Sequence, residues 1–326
     1  MSQSDGFGLT RHEDDGRRRL EEWRCNVGAS VALDLTSAPN DKTRPRSLIV
    51  LSWNLWIGRG KLGAVVRRIR NGDYADLGAD PSLPLVITVQ EAYRSDASIP
   101  ALREGRVGRV LVAGLREQED IVETARALGL NLRYAPSMRN GPSSSDRGNA
   151  LLSTLPLQDA HAIELPLVLQ RRVAVTASVV LGNTRLRLIS AHLDPRGPPG
   201  HRWLGAAGRA QQAQHLLDAV QDDTAVLGAD LNLGRGRYEP AWRLLEQAGF
   251  AFGVPRTIPA WRHTFHALPR LVLDYILVRD RSGVVVAARV HRLDEHPEDR
   301  GARVFGSDHH PLLARIDLEP LPEDSR

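Results

Sequence analysis

The chain has 326 residues, 42% of them hydrophobic and 25% charged, with a formal net charge of +4. This is ordinary globular usage with enough apolar material for a sizeable core, as one large domain or two ordinary ones. The single cysteine, Cys25, excludes an internal disulfide, no apolar run is long enough to span a membrane, and the opening "MSQSDGFGLTRHEDDGRRRL" lacks a signal-peptide apolar stretch, so a soluble cytoplasmic protein is expected.

Residues 1–45 are polar and mixed in charge, with one helix-like patch in "RRRLEEWRC"; they read as a flexible tail or a loosely attached helix. From Ser47 the pattern changes to short β-rich runs separated by turns and helices. Strands are expected at 47–55, 84–92, 148–154, 171–180, 185–193, 224–232, 273–278, 284–293 and 311–318. Helical spacing appears at 61–72, 116–129, 208–220 and 239–249, each with an apolar and a charged face. No repeat or long linker divides the region. One α/β domain over 46–319 is expected, with 320–326 as a C-terminal tail.

Several of these strands are apolar until their C-terminal end and then carry a polar group. "LIVLSW" leads to Asn54, "LVITVQ" to Glu91, "LRLISA" to His192, and "AVLGA" to Asp230 and Asn232. "RLVL" runs into Asp274, and "VFGS" leads to Asp308 and His309. A single such residue is ordinarily structural, and Asp, Asn and Gly favour turns. Alternation nevertheless puts Asp230 and Asn232 on the same side of an extended chain, and α/β proteins build their sites at strand ends.

The set supports a definite chemistry. Glu91, Asp308 and the amide oxygen of Asn54 are hard oxygen ligands, which suit Mg²⁺ sharing its shell with water and phosphate; Mn²⁺ is the substitute. With no cysteine cluster and no HExxH, a zinc site is disfavoured. His192 and His309 can donate to phosphate oxygens or move protons. Asp230 can take a proton from water, and Asn232 can hold that water or a phosphate oxygen. Together they describe hydrolysis of a phosphate ester. Nearly all the basic charge is arginine, Lys42 and Lys61 being the only lysines, which favours a polyanionic partner only weakly.

The motifs "WNLW", "QEAYR", "RGNALLS", "SAHLDP", "GADLN", "LDYILV" and "GSDHHPLLARI", in this order, resemble the endonuclease/exonuclease/phosphatase (DNase I-like) superfamily over about residues 47–319. The resemblance implies a four-layer α/β/β/α sandwich of two mixed β-sheets flanked by helices. It implies a Mg²⁺-dependent phosphoesterase acting by in-line attack of water, with a nuclease expected and a phosphatase or phospholipase-type enzyme as the alternative. A non-catalytic binding module on the same fold is the second alternative. By resemblance Asn54, Glu91 and Asp308 form the metal site, Asp230 activates water, Asn232 positions it, and His192 and His309 contact the phosphate. Asp274 would bond to His309 and favour its imidazolium.

Arg171 matches a phosphate-contacting arginine of the DNase I branch, with Arg172 as the other possible counterpart. Tyr93 and Arg235, the latter with Arg237, stand where substrate contacts are expected. Trp203, in a Pro/Gly-rich loop with Arg196, His201 and Arg202, can stack on a base or pin the loop to the core. The stretch "SDRGNALLS" departs from the family pattern, in which an acidic residue pairs with the first histidine. Arg147 stands near that place, with Asp146 beside it, so the partner of His192 is open. His310 reads as structural. The partner expected is a phosphate ester, nucleic acid foremost, with no protein partner.

Overall fold

The computed structural model describes residues 7–11, 17–36, 45–103, 117–196, 205–221, 223–252, 263–296, 301 and 303–319. Its strands in chain order are β1 (Gly8–Thr10), β2 (Val31–Leu33), β3 (Ser47–Asn54), β4 (Leu85–Ser95), β5 (Asn131–Arg139), β6 (Ser145–Ser153) and β7 (Gln158–Glu164). There follow β8 (Val173–Leu181), β9 (Thr184–His192), β10 (Ala225–Asp230), β11 (Phe250–Phe252), β12 (Asp274–Arg279), β13 (Val285–Arg292) and β14 (Leu312–Leu318). The helices are α1 (Arg17–Arg24), α2 (Leu62–Arg70), α3 (Ile121–Leu128), α4 (Gly205–Val220) and α5 (Pro240–Gln247).

Two seven-stranded sheets form among the described residues, in the orders β13-β14-β3-β4-β6-β5-β2 and β1-β7-β8-β9-β10-β12-β11. Both are mixed. The pairs β3/β4 and β9/β10 are parallel, and each lies within otherwise largely antiparallel neighbours. Three apolar clusters define the layers. One joins α2 and α3 to the outer face of the first sheet, through Leu62, Val66, Ile69 and Ile121 against Ile49, Leu51 and Ile87. The second fills the space between the sheets, with Val50 and Val86 against Val175, Leu188 and Val226. The third holds α4 and α5 on the outer face of the second sheet, through Leu216 and Trp242 against Ile189, Leu227 and Leu277. The expected four-layer sandwich is the architecture observed. Alternating side chains explain it, since each central strand has one apolar set for a helix and another for the opposite sheet.

The middle of the sandwich narrows beneath the site. A Cβ on Gly228 of β10 would lie 1.9 Å from Thr88 Oγ1 and 2.9 Å from Ser52 Oγ, so only glycine admits this approach of the two sheets. Beside it, Gln90 Nε2 donates to the Gly228 carbonyl at 3.1 Å, and Ser190 Oγ donates to the Val89 carbonyl at 2.8 Å. These bonds tie β4 to β9 and β10.

The N-terminal segment differs from the flexible tail expected. Gly8–Thr10 pairs in parallel with β7, and Val31–Leu33 pairs with β5, so the segment supplies one edge of each sheet. Leu20 and Trp23 are buried. Strands of three residues are too short to carry a readable alternation, which is why composition alone suggested a tail. β5 and β7 were likewise not among the expected strands, and polar residues such as Arg133, Arg139 and Glu164 interrupt their pattern. Those groups are buried nonetheless because each is paired, Glu164 with Arg24 and Arg171, and Arg133 with Asp34 and the Leu157 carbonyl.

Candidate active site

Register assembles the centre. Asp230 is the last residue of β10, where it pairs across the parallel ladder with His192 of β9 and across the antiparallel ladder with Asp274 of β12. Asn54 ends β3 in the opposing sheet, and its Nδ2 donates to Asp230 Oδ2 at 2.9 Å. The strand ends of both sheets thus converge on one carboxylate that is 1% exposed. His192 Nε2 stands 3.3 Å from Asp230 Oδ2, and His309 Nε2 stands 3.9 Å from it.

Two of the residues hold positive backbone angles. Glu91, at φ 51°, lies where the register between β4 and β6 shifts between Val89 and Ala92. Such a bulge re-aims a side chain at the cost of local strain. Asn232, at φ 52°, bends the chain after β10; its backbone N–H donates to Asp230 Oδ1 at 3.1 Å, and its Nδ2 donates to the Leu193 carbonyl at 3.0 Å.

The loop before β14 is fixed just as closely. Gly306 turns it at φ 92°, where a Cβ would meet the Arg59 carbonyl at 2.4 Å. Ser307 Oγ donates to the Asn54 carbonyl at 2.7 Å, and Trp53 Nε1 donates to the His309 carbonyl at 2.8 Å. His309 Nδ1 then meets Asp274 Oδ2 at 2.7 Å.

Charge in this buried centre is unevenly held. Burial opposes an imidazolium at His309, but the charge and hydrogen bond of Asp274, with Asp230 and Asp308, outweigh it and raise its pKa to about 10. Burial and the Asp274 charge raise Asp230 to about 7, against the pull of His309 and Asn54. His192 goes the other way. Burial, then Arg172, His309 and Arg147, hold it well below the ordinary histidine range. The two histidines are therefore different groups, one cationic and one neutral.

The question of the His192 partner resolves to an arginine. Arg172 Nη1 lies 3.0 Å from His192 Nδ1, and Arg172 Nε donates to Asp194 Oδ1 at 3.0 Å. Because a guanidinium only donates, His192 Nδ1 accepts and its proton sits on Nε2, facing Asp230. Asp146 instead turns away into Arg94 and the Tyr134 hydroxyl. Arg171, expected to contact phosphate, is committed elsewhere. It pairs with Glu164, donates to the Pro136 and Ser137 carbonyls, and lines a cavity of about 500 Å³ beside β1. Adjacent residues of an extended chain face opposite ways, so only Arg172 of this pair reaches the centre.

Tyr93, half-buried, pairs with Arg147 across β4/β6. Arg235 and Arg237 are exposed in the loop after Asn232, beside Tyr238, which is 81% exposed. His201, Arg202 and Trp203 lie outside the described residues. Two contributors escaped the sequence reading. Trp56 is flanked by the guanidiniums of Arg59, at 4.3 Å, and Arg303, at 5.0 Å. Ser307 supports the His309 backbone. The "WNLW" and "GSDHH" motifs contain or adjoin these residues, but nothing in the chain order joins Arg59 to Arg303.

The oxygen donors fit a hard divalent cation. Asp308 Oδ1 is buried without a hydrogen-bond partner among the described residues. Burial first, and then the neighbouring Glu91 charge, push its carboxyl up to about 6, against the pull of His309. Two neighbouring carboxylates of like charge are relieved by a cation held between them. Asn54 Oδ1 accepts the Trp56 N–H at 3.0 Å and retains a second lone pair. Asp230, Asp274 and His309 also bring ligand atoms within 4.8 Å of one another, but hydrogen bonds already join His309 to Asp274 and Asn54 to Asp230.

Two abutting mixed sheets under helices, with carboxylates, amides and histidines at one set of strand ends, define a DNase I-like sandwich. Residues 51–309 match the Endonuclease/Exonuclease/phosphatase family, and the chain belongs to that family. Its members include hydrolytic phosphoesterases. The fold is similar to an endonuclease/exonuclease/phosphatase from Beutenbergia cavernae, with 18% identity and TM-score 0.53 over 84% of this chain and 72% of that one. The human Nocturnin catalytic domain with bound sulfate anion gives 16% identity and TM-score 0.52 over 84% and 96%. Sphingomyelinase C from Streptomyces griseocarneus gives 18% and 0.50 over 83% and 99%. No curated protein matches the chain in sequence.

Proposed function

We propose that the chain is a Mg²⁺-dependent phosphodiesterase, a nuclease, that cleaves by direct in-line attack of water. The observation that carries the chemistry is the pairing of a buried carboxylate, Asp230, with two histidines at 3.3 and 3.9 Å, one backed by Arg172 and the other by Asp274. Asp230 takes the proton of the attacking water, which Asn232 orients. The neutral His192 donates through Nε2–H, and its tautomer is held by Arg172. The His309 imidazolium, backed by Asp274, stabilises the charge that grows on the phosphoryl oxygens. Glu91, Asp308 and the Asn54 oxygen would hold the cation, which when bound supplies Lewis-acid polarisation of a phosphate oxygen.

Nucleic acid is favoured as substrate by the loop after Asn232. Exposed Arg235 and Arg237 suit a phosphate backbone, and exposed Tyr238 offers a ring on which a base can stack. The test is hydrolysis of plasmid DNA, single-stranded DNA, RNA, bis-p-nitrophenyl phosphate, phosphoinositides and sphingomyelin with Mg²⁺, with Asp230→Ala and His309→Ala as controls. Nucleic-acid cleavage lost in both variants is the expected result. Activity confined to a lipid or monoester would keep the mechanism and replace the substrate.

A further inference from the structure

Behind the loop that carries Asp308 and His309 lies a second constellation of imidazoles. His266 Nδ1 lies 3.3 Å from His263 Nε2 and 3.0 Å from His310 Nε2, and the three residues bring ligand nitrogens within 4.8 Å of one another. His266 and His310 are buried and His263 is half-buried. We propose that His263, His266 and His310 form a binding site for a late first-row divalent metal ion, Zn²⁺ by ligand preference, which staples the 263–266 loop to the loop of Asp308 and His309.

The hydrogen-bond partners on the far sides of the rings carry the argument. His266 Nε2 meets the Gly301 carbonyl, an obligate acceptor, so that nitrogen bears the proton and Nδ1 presents a lone pair. His310 Nδ1 faces Asp294 Oδ1 at 2.9 Å and the Leu293 carbonyl at 3.2 Å, which places a proton on Nδ1 and turns Nε2 toward His266. Two ring nitrogens thus face one another at 3.0 Å, with a third imidazole nitrogen beside them. A proton can bridge only two of these nitrogens, whereas a metal ion can bind all three. Tetrahedral Zn²⁺, with Zn–N of about 2.0 Å, separates its ligand nitrogens by about 3.3 Å, close to the 3.3 and 3.0 Å that separate His266 Nδ1 from His263 and His310.

The outer partners have the form that metal-bound histidines use, a carboxylate behind one ring and a backbone carbonyl behind another. All-imidazole donors select Zn²⁺ and its neighbours over Mg²⁺, which separates this site from Glu91 and Asp308. Half-buried His263 leaves a route for entry and a fourth position for water.

The stapled segments matter to the centre. His266 N–H donates to the Asp308 carbonyl at 2.7 Å, and His310 N–H donates to the Thr264 carbonyl at 2.8 Å. Thr264 Oγ1 accepts the N–H of Asp274 at 3.0 Å. One ion on the three histidines would fix the backbone on which Asp274, Asp308 and His309 are mounted. It would touch no reacting atom.

The test uses the tag-free full chain, dialysed against excess Mg²⁺, with metal content read by plasma mass spectrometry. About one Zn²⁺ per chain is expected to remain. After stripping, Co²⁺ should restore an intense visible d–d absorption of tetrahedral type. His263→Ala, whose folding is checked by circular dichroism, should lose the absorption and weaken Zn²⁺ binding by more than about 100-fold; Asp294→Asn should weaken it by about 10–100-fold. Glu91→Gln should keep both the zinc and the cobalt spectrum. A folded wild-type chain that takes up neither ion would overturn the proposal. So would undiminished binding by His263→Ala, or loss of the cobalt spectrum in Glu91→Gln. None of these readouts depends on catalysis, so the phosphoesterase reading stands or falls separately.

Discussion

Asp230 is where function and stability oppose each other most directly. Its carboxyl titrates near 7 because burial and Asp274 disfavour the anion, so the folded state binds a proton more tightly than the unfolded chain. The resulting penalty sets in above the unfolded carboxylate range, near 4, and is complete only once pH exceeds the folded value. At pH 8, Asp230→Asn is therefore expected to raise the thermal midpoint of the metal-free protein and, with Mg²⁺ supplied, to lower hydrolysis by about 10²–10⁴-fold. A midpoint that falls would mean that the anion is held by more than its visible partners. Glu164 behaves in the opposite sense. Burial opposes its anion, but hydrogen bonds and charges from Arg24 and Arg171 prevail and keep its pKa below the ordinary value. That contribution is present above the unfolded carboxylate pKa and is lost as pH falls through the depressed folded one. Glu164→Gln should cost about 3–5 kcal/mol near neutrality by removing the carboxylate paired with the buried Arg171. In acid its urea midpoint should converge on that of the wild type, and a gap unchanged down to pH 3 would contradict this account.

The elements explain why candidate site residues from distant parts of the chain meet. Parallel β9/β10 and antiparallel β10/β12 put His192, Asp230 and Asp274 in one row, and the opposing β3 brings Asn54 to the same place only because the sheets close on Gly228. Gly228→Ala must displace Thr88, and overpacking of this kind costs about 1–3 kcal/mol. Activity should fall with it, since the Asn54–Asp230 bond spans the same gap. Thr88→Ala in the same chain removes the colliding hydroxyl and should recover part of both losses. If the double variant is no better than Gly228→Ala alone, the sheet spacing is set elsewhere. This element-level view also separates what was legible from what was not. Asn54, Glu91, His192, Asp230 and Asp274 could be read because each interrupts or borders an apolar run, although Glu91 sits at a bulge within β4 and not at its end. The arginine choice was not legible, because residues 171 and 172 are alike in sequence and differ only in which face of the strand each takes. The three histidines were also hidden, because 263, 266 and 310 come together only through β12, β13 and β14.

At the scale of the whole molecule most of the sandwich was legible from residue 47 onward, where the central strands have a clear apolar set, and illegible before it, where the strands have only three residues each. Residues 8–33 supply an edge to each sheet, bury Leu20 and Trp23, and send Arg24 to Glu164. Their backbone also serves buried charges. The Gly28 N–H donates to Asp146 at 2.9 Å, and the Ala29 carbonyl accepts from Arg94 at 2.8 Å. Deleting residues 1–35 would expose the β5 edge and forfeit the burial of Leu20 and Trp23, about 1.5–3 kcal/mol for each large side chain. It would also strip partners from Glu164, Arg94 and Asp146, each fully or nearly fully buried. Set against a typical total of about 5–15 kcal/mol, this removes a large part of the stability. The shortened chain should unfold at a markedly lower urea concentration and with a smaller m-value, because less surface is exposed on unfolding. An unchanged midpoint would instead make the first 35 residues a detachable tail, and would require that Glu164 and Asp146 be balanced by Arg171 and Arg94 alone.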